Sequence, residues 1–249
     1  MLPAFVEGED SVCESRSDGE TSVTASAIIV AAGSGVRLGS GAPKAFVKIA
    51  GRTMLSYSLA TVRQVSAIGE VVITVPEGFE NAARAEIEAA GLGLPVKITP
   101  GGIERQDSVR IALGLTSSES ELVIVHDAAR PLTTREIFEA CLDAAARAGG
   151  AIAAIPVADT LKRVADSAIT ATVARAGLWQ AQTPQAFRRA LLVAAHQCAV
   201  TEGIAATDDA DLVERIGARV EVVEMTTANI KVTTKSDLAI VEAIIAART

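Results

Sequence analysis

The chain has 249 residues, with 49% hydrophobic and 21% charged, a balance that can bury a core and excludes a wholly disordered chain. A net charge of −7 and an aromatic content of 3% argue against a generic polyanion binder and against a stacking platform for single-stranded nucleic acid. No apolar run approaches the roughly 20 residues of a membrane helix, and three widely spaced cysteines (Cys13, Cys141, Cys198) fit neither a disulfide framework nor a zinc pattern, which suits a reducing, cytoplasmic setting.

Residues 1–24 hold six acids (Glu7, Glu9, Asp10, Glu14, Asp18, Glu20) against Arg16, so this segment carries −5 of the net charge. It lacks apolar periodicity and is expected to be a disordered acidic tail. It has neither the basic start of a secretion signal nor the composition of a transit peptide. Residues 25–249 are expected to form one domain. Short apolar runs at 27–30, 70–75, 96–98, 122–125, 151–155 and 220–223 predict strands. Between and after them, amphipathic stretches at 54–65, 79–90, 106–115, 134–148, 187–200 and 236–247 predict helices. This alternation implies a mostly parallel sheet covered on both faces. Residues 158–180 break it, with two β-like segments at 160–164 and 170–174 around Ala165-Asp166-Ser167. Such a ribbon is marginal alone in water, so it is expected to pack on a second subunit.

In open parallel sheets ligands bind beyond the carboxyl ends of the strands. After the first strand comes Ala31-Ala32-Gly33-Ser34-Gly35, then Arg37 and Pro43-Lys44. Small residues let backbone N–H groups approach a phosphate, and two cations add charge. The spacing is neither a dinucleotide fingerprint nor a Walker loop. After the third strand, Gly101-Gly102 could admit a flat base, with Glu104, Arg105 and Ser108 following. After the fourth comes His126-Asp127-Ala128-Ala129-Arg130-Pro131, a strand-end carboxylate beside an arginine, which suits Mg²⁺ and phosphates. His126 ends an apolar strand and reads as a structural, hydrogen-bonded histidine. His196 is given no role. Further on lie Asp159-Thr160-Leu161-Lys162-Arg163, Arg175, Trp179, Thr183-Pro184-Gln185, Thr207-Asp208-Asp209 and Asn229-Ile230-Lys231. Trp179 suggests core or interface packing. Thr207 could cap a helix whose positive end Asp208 and Asp209 favour. No nucleophile elbow or metalloprotease motif occurs. The excess of fixed cations beside one strand-end aspartate suits phosphate chemistry without a covalent intermediate.

Taken together, AAGSGVRLG with PK, GG followed by DS, VHDAARP, DTLKR, LWQAQTPQ, TDDA and NIKVT resemble the 2-C-methyl-D-erythritol 4-phosphate cytidylyltransferase family over residues 26–247. The resemblance implies a single three-layer, Rossmann-like (glycosyltransferase-A-like) nucleotidyltransferase domain of α/β class. It also implies a homodimer built through a β-arm, here residues 158–180, with no nucleic-acid or membrane partner. The implied reaction joins CTP to methylerythritol phosphate with Mg²⁺ and releases pyrophosphate. By resemblance Arg37 and Lys44 stabilise the transition state, and Arg175 and Lys231 position the sugar phosphate. Ala31, Ala32, Gly102 and Ser108 would hold the cytosine. Gly33, Gly35, Asp127, Ala128, Arg130, Thr160, Thr183 and Thr207 would complete the substrate contacts, some from the partner's arm. The chain departs from the usual pattern at Ala45, Phe46 and Ile103. A ribitol 5-phosphate cytidylyltransferase shares most of these motifs, but Ala129 favours the methylerythritol enzyme. A nicotinamide-dependent oxidoreductase is disfavoured by the glycine spacing, and a non-catalytic nucleotide binder by the presence of both Arg37 and Lys44.

Overall fold

The computed structural model describes residues 24–35, 38–39, 41–225 and 229–248. The expected tail through residue 23, and Arg37 with it, lie outside these residues. The strands are β1 (Ala25–Val30), β2 (Lys48–Ile49), β3 (Arg52–Thr53), β4 (Ile68–Val75), β5 (Val96–Pro100), β6 (Leu122–Asp127), β7 (Gly150–Pro156), β8 (Leu161–Ala165), β9 (Ala168–Val173), β10 (Trp179–Arg188) and β11 (Glu221–Glu224). The helices are α1 (Met54–Val62), α2 (Glu80–Ala90), α3 (Arg105–Leu113), α4 (Arg135–Ala148), α5 (Arg189–Glu202), α6 (Asp209–Arg215) and α7 (Lys235–Arg248). A one-turn 3₁₀ helix spans Lys44–Phe46.

Seven strands form one sheet in the order β11-β7-β10-β6-β1-β4-β5. Only β10 runs antiparallel, to both β6 and β7. The interior strand β1 is buried and, apart from Ser26, apolar, because both of its sides are covered. Ala25, Ala27 and Ile29 join a core with α1, α2 and α4. Ile28 joins the opposite core with α3, α5 and α6. The result is the expected three-layer α/β arrangement. A third, smaller cluster gathers Leu38, Ile49, Met54, Leu132, Val232 and Val241, and so ties α7 to the end of the sheet that carries the strand-end loops.

The sequence reading missed β10. Its segment WQAQTPQAFR is polar and contains a proline, so neither alternation nor an apolar run marks it as a strand. Its pairing with β7 shifts register between Ala181 and Gln185, around the cis Thr183–Pro184 peptide. That interruption accommodates a proline in an interior strand, where it could not otherwise donate to the ladder. The fifth helix accordingly starts at Arg189 rather than 187. The helix after Thr207 exists as α6, but its cap is Asp208, whose Oδ1 accepts from the Asp211 N–H at 3.0 Å. Among the described residues, strands β8 and β9 pair only with each other, as a hairpin off the main sheet.

Candidate active site

Three strand ends converge on one cavity of about 320 Å³. It is lined by Ala31, Ala32, Gly33 and Gly35 after β1, Lys44 on the 3₁₀ turn, and Gly102, Arg105 and Ser108 after β5. Asp127 and Ala128 line it after β6, with Lys231 and Thr233 ahead of α7. Parallel strands point their carboxyl ends the same way, so residues far apart in sequence meet at one edge.

The β1 loop folds back on the 3₁₀ turn. The Lys44 N–H donates to the Gly33 carbonyl at 3.2 Å. Gly35 takes φ +70°, a left-handed conformation that favours glycine, and a Cβ there would come within 3.0 Å of the Lys44 backbone nitrogen. Lys44 is thus seated directly against the small-residue loop. Gly101 and Gly102 are demanded by close approach. A Cβ on Gly101 would lie 2.3 Å from Ala32 Cβ, and one on Gly102 2.2 Å from Asp107 Cβ. Ser108, buried in the first turns of α3, accepts from the Gly102 N–H at 3.0 Å and donates to the Glu104 carbonyl at 3.2 Å. Its hydroxyl shapes the glycine loop from beneath. Ala45 is buried at the cavity wall, Phe46 packs on Phe79 with ring centroids 5.2 Å apart, and Ile103 stands 97% exposed at the rim.

Asp127 is the electrostatic centre. Its Oδ1 accepts from Arg105 Nε at 3.0 Å, and its Oδ2 pairs with Lys231 Nζ at 2.7 Å. Burial alone would raise its pKa, but the two cations override that and hold the carboxyl far below the usual range. Arg105 also reaches the buried Asp209, Nη1 to Oδ2 at 2.8 Å. Burial would make its guanidinium easier to deprotonate, but the two carboxylates more than offset this and raise its pKa. Asp209 stands in the first turn of α6, where an acid was expected, with its carboxylate turned inward to Arg105. His196, given no role from sequence, is buried with Nε2 3.4 Å from Asp209 Oδ1, an ion-pair distance without hydrogen-bond alignment. Burial pushes the pKa of His126 down to about 4, against opposing help from Asp127. Its Nδ1 meets Thr183 Oγ1 at 3.3 Å and its ring lies 5.1 Å from that of Phe138, a structural setting.

Several site residues named from sequence do not line the cavity. Thr183 sits behind it, accepting from the Asp127 N–H at 3.0 Å. Arg130 is buried, with its guanidinium donating to the Asn229 carbonyl at 2.7 Å. Asn229 in turn donates to the Thr183 carbonyl at 2.8 Å, and the Val232 N–H donates to the Ala129 carbonyl at 2.8 Å. These bonds pin the loop that presents Lys231. Thr207 is exposed ahead of α6. Thr160 and Arg175 are exposed at the base of the β8–β9 hairpin, where Arg175 donates to the Ala158 carbonyl. Trp179 is likewise partly exposed, at the start of β10. Residues overlooked as site members are Arg105, Asp209, Asn229 and Thr233. Arg105 stands at the first turn of a helix that opens on a strand end, which is the one local signal for it.

A glycine-lined cavity at the carboxyl edge of a mostly parallel sheet, bordered by Lys44, Lys231 and Arg105 with Asp127, suits a phosphorylated ligand. The family model for 2-C-methyl-D-erythritol 4-phosphate cytidylyltransferase matches residues 25–247, and the chain belongs to that family. A relative of that name from Deinococcus radiodurans is 46% identical over 218 residues, 88% of each chain. One from Syntrophus aciditrophicus is 42% identical, covering 87% of this chain and 94% of its own. The crystal structure of the cytidylyltransferase of that name from Thermus thermophilus superposes with a TM-score of 0.75 at 36% identity, covering 90% of this chain and 98% of that one.

Proposed function

We propose that the chain transfers the cytidylyl group of CTP to 2-C-methyl-D-erythritol 4-phosphate in isoprenoid synthesis, releasing pyrophosphate. The observation that carries this reading is the cavity itself, in which Gly33, Gly35, Lys44, Gly102, Asp127 and Lys231 of the family-like motifs meet. The attacking atom is an oxygen of the acceptor phosphate, already anionic near neutral pH. It forms a bond to the α-phosphorus of CTP as the bond to the β-phosphate oxygen breaks. No general base is needed, which agrees with a buried, neutral His126. The barrier is anion meeting anion, so catalysis rests on in-line placement and charge neutralisation. Lys44, which lines the cavity, would balance the triphosphate, and Arg37 is assigned the same task from its motif. Lys231 and Arg175 would hold the acceptor phosphate. Ala31, Ala32, Gly102 and Ser108 would shape the base pocket, and Asp127 with Ala128 the sugar contacts.

A divalent cation such as Mg²⁺ would find one carboxylate here, Asp127, whose two oxygens also meet Arg105 and Lys231. Among the described residues no cluster of three metal-binding side chains occurs, while Asp127 offers one hard carboxylate beside the phosphate cradle. Mg²⁺ is commonly held by one or two carboxylates plus substrate phosphates. Bound there, it would neutralise charge on the nucleotide phosphates.

We also propose a homodimer joined through the hairpin and housed in the cytoplasm. Val164 and Ile169 on β8 and β9 are 57% and 65% exposed, and Leu178 and Trp179 at the hairpin base are partly exposed too. Thr160 and Arg175 would then act on the partner's cavity. The free thiols Cys141 and Cys198 agree with a reducing compartment. The test is pyrophosphate release with CTP and Mg²⁺, comparing methylerythritol 4-phosphate with ribitol 5-phosphate as acceptors. Turnover with the first alone supports the assignment. Turnover with ribitol phosphate alone would overturn the acceptor but keep the reaction.

A further inference from the structure

Arg105 and Asp209 have no task in the reading above, yet they form a 2.8 Å ion pair beside the cavity, with Asp209 buried. From cavity to interior the chain of contacts runs Lys231 Nζ to Asp127 Oδ2 (2.7 Å), Asp127 Oδ1 to Arg105 Nε (3.0 Å), and Arg105 Nη1 to Asp209 Oδ2 (2.8 Å). The two cations on Asp127 differ in kind. Lys231 is exposed on a flexible stem, a point charge that can swing between partners. Arg105 is a planar fork whose far prong is fixed to a carboxylate only 1% exposed.

We propose that Arg105, braced by Asp209, is a positioning residue that retains Asp127 when Lys231 leaves it for the acceptor phosphate. The proposal rests on the reading that Lys231 receives that phosphate. Without Arg105, departure of Lys231 would leave the buried carboxylate without either of the two cations paired with it, which is costly. Asp127 would then keep Lys231, and the acceptor would bind more weakly. With Arg105 in place the carboxylate stays neutralised, and the lysine is free to be shared. A lysine at position 105 keeps the charge but loses the fork that spans two carboxylates.

The test is steady-state pyrophosphate release by the full chain carrying Arg105→Lys, with thermal melts recording that it folds. The expected result is an acceptor KM raised about tenfold, with the KM for CTP changed less than about twofold. In a Lys231→Met background the same Arg105→Lys change should add nothing to the acceptor KM, because the shared lysine is already gone. Asp209→Asn removes the brace without changing its shape and should raise the acceptor KM in the same direction; it serves if Arg105→Lys does not fold. An unchanged acceptor KM in a folded single variant overturns the proposal. So does full additivity with Lys231→Met, which would mean that Arg105 acts independently of the lysine. If Lys231→Met leaves the acceptor KM unchanged, the reading of Lys231 fails and this proposal fails with it. If Lys231→Met raises it and the Arg105 effect is additive, the proposal fails alone.

Discussion

Two kinds of residue define the cavity, those that must be small and those that must be charged. Gly35 is small because its left-handed backbone disfavours a side chain and the nearness of Lys44 leaves little room for a Cβ. A Gly35→Ala change should therefore displace Lys44 and lower turnover in the same direction as loss of the lysine itself. Lys44→Ala should cost about 10²–10³-fold in kcat, the usual effect of removing one preorganised charge contact. A single-turnover measurement checks this, and near-parental turnover would remove Lys44 from the transition state. Gly102→Ala should act differently. Its Cβ would lie 2.2 Å from Asp107 Cβ, so the start of α3 must shift and the wall assigned to the base with it. The expected outcome is a KM for CTP raised about tenfold with a smaller change in the acceptor KM, read by varying each substrate in turn.

At the scale of elements, the hairpin β8–β9 is the piece the sheet does not explain. It makes no ladder with the main sheet and leaves Val164 and Ile169 facing outward. Apolar side chains on a two-stranded ribbon need a partner surface to be stable. If the proposed dimer forms through this hairpin, replacing both residues, Val164→Asp with Ile169→Asp, should shift the chain from dimer to monomer in sedimentation velocity while leaving the far-ultraviolet circular dichroism unchanged. Turnover should fall as well, because Arg175 at the hairpin base would no longer reach a partner's cavity. A parent chain that sediments as a monomer would overturn the dimer. The hairpin was legible because its polar turn and alternating flanks are local features. Strand β10 was not, because its partners β6 and β7 lie at least 23 residues away in sequence and its own residues carry no strand pattern. Its place between two parallel strands is what aims Thr183 at the backbone of Asp127.

For the whole molecule, burial of His126 sets a pH dependence. Its ordinary pKa of 6.5 falls to about 4 in the folded chain because burial disfavours the imidazolium. The unfolded chain takes up a proton below pH 6.5 that the native state refuses until about pH 4. Stability is therefore fully present above that window and declines as pH falls through it, by about 3 kcal/mol from this one group. Denaturant midpoints at pH 7 and pH 4.5 should show the decline, and His126→Gln should flatten it. An unchanged slope in that variant would assign the acid sensitivity to another group.

The sequence by itself determined the order of strands and helices apart from β2, β3 and β10, the strand-end loops that carry chemistry, and the family to which they belong. These are local properties, since hydrophobic period, glycine runs and short motifs are each written in neighbouring residues. Only the tertiary structure decided how the charges pair. Asp127 was legible as a strand-end acid, but its partners Arg105 and Lys231 come from 22 residues before it and from the far end of the chain. Asp208 and Asp209 are adjacent and chemically alike, yet one caps α6 and the other braces Arg105 in the interior. Arg130, expected among the substrate contacts, secures the Asn229 loop. A side chain's partner depends on which elements the sheet brings together and on which face is buried, and that information is spread over the whole chain.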